Sequence, residues 1–94
     1  MKMIGSLLKT NQKRLMNNFT VYSKDGCPYC IKVIQVLELA KLSHRVYKLD
    51  EHFDKKSFYG QFGQGSTFPQ VVIDSTNIGG CTDTVKYLKE HSLV

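Results

Sequence analysis

Two cysteines separated by two residues, in the run Cys27-Pro28-Tyr29-Cys30, are the groups in this chain best suited to chemistry. Such a pair can be half of a zinc site, a structural disulfide or a redox dithiol. A structural zinc site takes four ligands. Cys81 with one of His44, His52 and His91 could complete that set on paper, but there is no second Cys-x-x-Cys and no His-x-x-x-His pair. A disulfide across so short a span closes a tiny loop and stabilises little. The redox reading is favoured by where the pair falls, at the C-terminal end of a strand and in the first turn of a helix.

That position has a consequence for reactivity. Pro28 suits the first helical position, where its missing N–H costs nothing. The unpaired N–H groups of a helix start point toward the Cys27 sulfur, and the helix dipole favours negative charge there. A free thiol with a pKa near ~8.5 is mostly protonated at neutral pH, whereas helix N-termini and nearby cations bring cysteines to roughly 3.5–7.5. Lys24, just upstream, is a candidate cation. Cys27 is therefore expected to be the thiolate nucleophile. Cys30, turned toward the helix, is expected to stay a thiol until it resolves a mixed disulfide formed on Cys27.

The elements that must position this pair can be read from periodicity and breakers. Residues 19–22 alternate apolar and polar β-formers and predict a strand, ended by the polar break at 23–26. The apolar stripe Cys30, Val33, Ile34, Leu37, continued to Lys41, predicts a helix over 28–42, broken at Ser43. Residues 44–49 predict a second strand. Strand, helix and strand form a βαβ unit, so the two strands should be parallel with a right-handed crossover. Asp54 is a candidate N-cap for a short helix over 55–62, ended by Gly63, Gly65 and Ser66. Thr67, Phe68 and Pro69 introduce a third strand at 70–73, and the Asp74-Ser75 turn leads to a fourth at 76–78 in an antiparallel hairpin. After a bend at Gly79-Gly80, Cys81, Thr82 and Asp83 are expected to cap a last helix running to about residue 91. The order β-α-β-α-β-β-α predicts an α/β fold, a mixed four-stranded sheet with helices on both faces.

Composition removes several classes. Among 94 residues, 41% are hydrophobic and 22% charged, which argues against disorder over most of the chain. No apolar run reaches the ~18 residues of a membrane span. The net charge of +5 is concentrated at the start: Lys2, Lys9, Lys13 and Arg14 fall in the first 17 residues, which hold no Asp or Glu. The remainder carries nine Lys and Arg against eight Asp and Glu, and no basic and aromatic stripe, so neither nucleic acid nor membrane is expected as a partner. Residues 1–17 are read as a basic extension with partial helical spacing, and residues 18–94 as the domain. The extension is expected to be a packed helix or an unstructured lead rather than an organelle transit peptide, and it lacks the features of a secretory signal. Three cysteines cannot all pair within one chain, which suits a reducing compartment, and a cytoplasmic location is expected. No heptad seam or large exposed apolar stretch suggests an oligomer.

Three motifs in order resemble a family. Cys27-Pro28-Tyr29-Cys30, Thr67-Phe68-Pro69 and Gly79-Gly80-Cys81-Thr82-Asp83 are similar to those of dithiol glutaredoxins, and the likeness covers residues 18–91. The resemblance implies the thioredoxin fold and a glutathione-dependent enzyme that reduces protein disulfides and protein–glutathione mixed disulfides, with Cys27 and Cys30 catalytic. Glutathione is the implied reductant and no metal is expected. Disulfide-bonded or glutathionylated proteins are the implied partners, with ribonucleotide reductase a candidate among them. The resemblance also implies that Thr67, Phe68 and Pro69, through a cis proline bond, offer backbone groups to the cysteinyl part of glutathione. Gly80, Cys81, Thr82 and Asp83 would take its γ-glutamyl end. Lys24 and Gln61 would meet the glycyl carboxylate, and Tyr29 would flank the groove. Phe68 stands where the family usually has Val, which should narrow the groove. Thr82 stands where an Asp is common, which removes a charge. Two competing readings are a redox protein fed by thioredoxin reductase and an iron–sulfur carrier. The glutathione motifs argue against the first, and Pro28 with Cys30 argues against the second.

Overall fold

The computed structural model describes residues 18–93, so the readings made for residues 1–17 fall outside the described residues. The elements are β1 (Phe19–Ser23), α1 (Pro28–Leu39), β2 (His44–Lys48), α2 (Lys55–Phe62), β3 (Gln70–Ile73), β4 (Thr76–Gly79) and α3 (Cys81–Glu90). The sheet order is β2-β1-β3-β4. β1 runs parallel to β2, with Phe19 opposite His44, as the βαβ reading requires. β3 lies antiparallel to both β1 and β4, and its register with β4 shifts between Val71 and Val72.

Strand alternation sorts the side chains into two unlike layers. Phe19, Val21, Val71 and Ile73 turn to one face, where they meet Val33 and Leu37 of α1 and Leu88 of α3. All but Ile73 are fully buried, and each such side chain contributes roughly 1.5–3 kcal/mol on burial. The other face is aromatic. Tyr22 makes edge contacts with Tyr47, Phe53 and Phe62, at centroid distances of 5.7, 5.3 and 5.0 Å. Helix α2 covers that face with Phe62 and the fully buried Phe58. Helices thus lie on both faces of the mixed sheet, as the pattern predicts.

Helix starts follow the sequence closely. Asp54 caps α2, with Oδ1 accepting the Ser57 N–H at 2.8 Å, and that bond holds the Asp54 carboxyl below the usual range. Helix α3 differs from expectation: its N-cap is Gly80, with no side-chain cap, and Cys81, Thr82 and Asp83 form its first turn.

The end of α1 differs more. Helix α1 stops at Leu39 rather than residue 42, because Lys41 takes a left-handed φ of 58°. Its N–H donates to the Glu38 carbonyl at 3.1 Å, and the Leu42 N–H donates to the Leu37 carbonyl at 3.0 Å. This is a Schellman closure, and it swings Leu42 into the core. Helix α3 closes the same way. Ser92 at φ 56° donates to the Lys89 carbonyl, and Leu93 donates to that of Leu88. Leu93 then packs against the core. Neither closure uses glycine, so the α1 end was not apparent from the sequence, whereas the end of α3 falls at Glu90, next to the expected residue 91.

A left-handed residue with a Cβ costs ~1–2 kcal/mol, and glycine costs ~0.5–1 kcal/mol in unfolded-chain entropy. Lys41→Gly should therefore raise stability by roughly 0.5–1 kcal/mol, read as a higher urea midpoint at unchanged slope. A lower midpoint would show that the Lys41 conformation costs nothing.

Candidate active site

β1 delivers the chain to the reactive pair through a turn at Asp25 and Gly26, where Gly26 has φ 70°. Cys27 is the N-cap of α1, in extended conformation. Its Sγ accepts the Cys30 N–H at 3.2 Å, and its carbonyl accepts the N–H groups of Cys30 and Ile31. The two cysteines are joined as a disulfide. Both are buried, Cys30 at 1% exposed and Cys27 at 6%, so the expected difference in exposure is present but small.

The first turn of α1 carries no acidic side chain to compete with a negative sulfur. The nearest upstream acid, Asp25, is engaged by Lys48 at 3.1 Å, and Lys48 also reaches Glu51 at 3.8 Å. Asp25 in turn holds the Lys48 ammonium above the usual lysine range. Exposed pairs of this kind add little stability, but this one occupies the Asp25 carboxylate. Lys24 has no ion pair among the described residues, and its Nζ lies 5.1 Å above the Phe68 ring centroid.

Beside Tyr29 runs a groove of about 330 Å³. One wall is Thr67, Phe68 and Pro69, with a cis bond between Phe68 and Pro69. Phe68 is anchored from behind, stacked on Phe58 at 4.1 Å and 8° and on Phe53 at 6.2 Å. The facing wall is the entry to α3: Gly80, Cys81, Thr82 and Asp83. Tyr29, which lies between the two cysteines in the chain, and both walls are thus brought together by three segments far apart in sequence. Four expected residues are not part of its lining: Cys27 and Cys30, which flank Tyr29 in the chain, and two that stand apart. Lys24 does not line the groove but sits over Phe68, and Gln61 is exposed on α2 outside it.

The structure adds two lining residues that the predicted set omits. Gln70 follows the cis proline, and its Nε2 donates to the Thr67 carbonyl at 3.0 Å, bracing the loop. Gly79 has φ 123°, and a Cβ there would lie 2.5 Å from Asp83 Oδ2. The Asp83 carboxylate folds back into the space that glycine leaves. The Gly-Gly pair was the available signal for Gly79, whereas nothing local marked Gln70.

Helix α3 begins with N–H groups that no side chain caps, beside that carboxylate. The fully buried Thr84 returns its hydroxyl to the Gly80 carbonyl at 2.8 Å, which fixes the cap residue. An uncapped helix start with an adjoining acid can take both ends of an amino acid zwitterion. Cys81 is a free thiol, and its burial pushes the pKa up against the opposing charge of Lys32. Among the described residues, no group of three or more His, Cys, Asp or Glu side chains is placed to hold a metal.

Comparison with known proteins fits this geometry. The glutaredoxin family model matches residues 19–78. Glutaredoxin 1 of Rickettsia prowazekii is 30% identical over 83 residues, covering 86% of this chain and 87% of that protein. Glutaredoxin 3 of Escherichia coli is 32% identical over 68 residues, covering 72% and 82%. Among solved structures, a buckwheat glutaredoxin–glutathione complex superposes with a TM-score of 0.64 at 26% identity, covering 93% of this chain and 82% of the other.

Two outcomes follow from the site itself. Gly79→Ala should displace the Asp83 carboxylate and destabilise the domain by roughly 1–3 kcal/mol, seen in thermal unfolding and in shifted α3 amide signals. Unchanged signals would mean the close approach is dispensable. In the oxidised protein at pH 8, iodoacetamide should label Cys81 far more slowly than free glutathione, followed by mass spectrometry. Labelling at an equal rate would show that Cys81 is not protected.

Proposed function

Because the chain belongs to the glutaredoxin family it is a thiol–disulfide oxidoreductase, and we propose that it takes its electrons from glutathione to reduce protein–glutathione mixed disulfides and protein disulfides. One observation carries this reading: Cys27 is both a partner in the disulfide and the N-cap of α1, accepting the Cys30 N–H across the turn that holds Tyr29, a residue of the groove. The backbone N–H and the helix dipole favour a negative sulfur in the reduced form.

In the reduced protein the Cys27 thiolate attacks the glutathione sulfur of a mixed disulfide. The target thiolate leaves and takes up a proton, and Cys27 becomes disulfide-bonded to glutathione. A second glutathione thiolate then attacks that sulfur, forming oxidised glutathione and returning the Cys27 thiolate. For a protein disulfide, Cys27 instead forms a mixed disulfide with the target. Cys30 loses its proton, attacks the Cys27 sulfur and expels the target thiolate, leaving the Cys27–Cys30 disulfide. Two glutathiones reduce that disulfide in turn.

The groove supplies a place for glutathione in this sequence. The Phe68 backbone would pair with its cysteinyl amide, as one rung of a strand ladder. The uncapped start of α3 would take the γ-glutamyl carboxylate and Asp83 its ammonium. Lys24, parked over Phe68, would meet the glycyl carboxylate, with Gln61 a more distant contributor. The buckwheat relative was solved as a glutathione complex, which supports this use of the groove. We place the protein in a reducing compartment, the cytoplasm, acting as a monomer. Ribonucleotide reductase stands among its candidate targets on family grounds.

The test is a coupled assay of NADPH oxidation with glutathione, glutathione reductase and a small mixed disulfide. Cys27→Ser should abolish turnover. Cys30→Ser should retain turnover of the mixed disulfide and lose reduction of protein disulfides. Equal loss in both variants on both substrates would sink this division of labour. Turnover with thioredoxin reductase and none with glutathione would replace the reductant.

A further inference from the structure

A second groove, of about 420 Å³, runs between α1 and α3 on the far side of Tyr29. It shares Tyr29, Cys81 and Thr82 with the first groove, so the two are continuous around one aromatic side chain. Its apolar surface comes from Tyr29, which is 62% exposed, and from Val85. Its rim is basic: Lys32 from α1, with Lys86 and Lys89 from α3, against the single acid Glu90. None of the three lysines forms an ion pair among the described residues. Residues 18–94 are nearly neutral, with nine basic and eight acidic side chains, so this cluster is a local feature rather than a share of a general excess.

A protein–glutathione mixed disulfide has two halves, and only one of them fits the glutathione groove. The polypeptide half must leave the reacting sulfur in another direction. We infer that the groove between α1 and α3 receives it, and that the groove selects segments in which acidic side chains flank an apolar residue next to the target cysteine. The apolar residue would lie on Tyr29 and Val85, and the acids would meet the lysine rim. Charge complementarity at a rim acts mainly on encounter and selection, so the effect belongs in KM rather than in the chemical step. This inference rests on the glutathione-dependent reading above, and it adds a substrate preference to it.

The experiment uses the full chain, wild type and the double variant Lys86→Glu, Lys89→Glu. Both positions are exposed on α3 and lie outside the glutathione groove. Three substrates are compared: a small mixed disulfide, a glutathionylated peptide with acidic and leucine residues around its cysteine, and the same peptide with lysines for the acids. In the wild type the acidic peptide should have the lower KM of the two. The double variant should raise that KM on the order of tenfold, leave kcat and the small substrate unchanged, and lose the difference at high salt. An unchanged KM for the acidic peptide overturns the inference, as does an equal rise for both peptides. An acidic peptide with serine for leucine that performs equally well also overturns it, since any polyanion would then serve. Binding of the acidic peptide with serine for cysteine, followed through amide shifts of α1 and α3, needs no turnover. Shifts on those helices that vanish in the double variant support the groove even if the small substrate is not reduced with glutathione, which would instead defeat the reading of the reductant.

Discussion

The hydrogen bond from the Cys30 N–H to the Cys27 sulfur is the constraint around which the domain is arranged. A helix start leaves N–H groups without partners, and most helices satisfy one with an oxygen from Ser, Thr, Asp or Asn. Here a sulfur takes that place, so the reactive atom is also a structural atom of α1. Its position is only as firm as the helix, and the helix is firm because Val33 and Leu37 are fully buried behind it. β1 delivers the chain to that point, with Phe19 and Val21 in the same core.

The two layers of the sheet do different work for the site. The aliphatic layer holds α1 and α3, whose N-terminal ends border the groove on two sides. The aromatic layer on the opposite face holds the proline loop. Phe58 and Phe53 pack against Phe68, so a wall of the groove is an extension of that cluster. A change in either layer is therefore transmitted to the site through the packing of a whole element.

What could be read from the sequence was local. The cysteine pair flanking Pro28 and Tyr29, the Asp54 cap and the tight hairpin each depend on neighbours in the chain, and each appears where expected. What could not be read was set by distant contacts. Helix α1 ends at a left-handed lysine because Leu42 finds the core, and no glycine announces the turn. Gly79 is required by the Asp83 side chain returning from the next helix. The near-equal burial of Cys27 and Cys30 follows from packing around the pair, which spacing does not describe. Lys24 was placed near the site by proximity in sequence, and its seat on Phe68 comes from a loop more than forty residues away.

Among the described residues, the strand order leaves β2 and β4 at the outside of the sheet. An outer strand offers unpaired N–H and C=O groups to any extended chain that meets it, and runaway stacking between molecules is the hazard. β2 carries the exposed Arg45, which has no ion pair among the described residues, so a second copy approaching in register would bring like charge against it. β4 is only four residues long, and the register shift against β3 twists it out of line. Protection against fibrous association is thus built into both margins of the sheet, by charge at one and by brevity and distortion at the other.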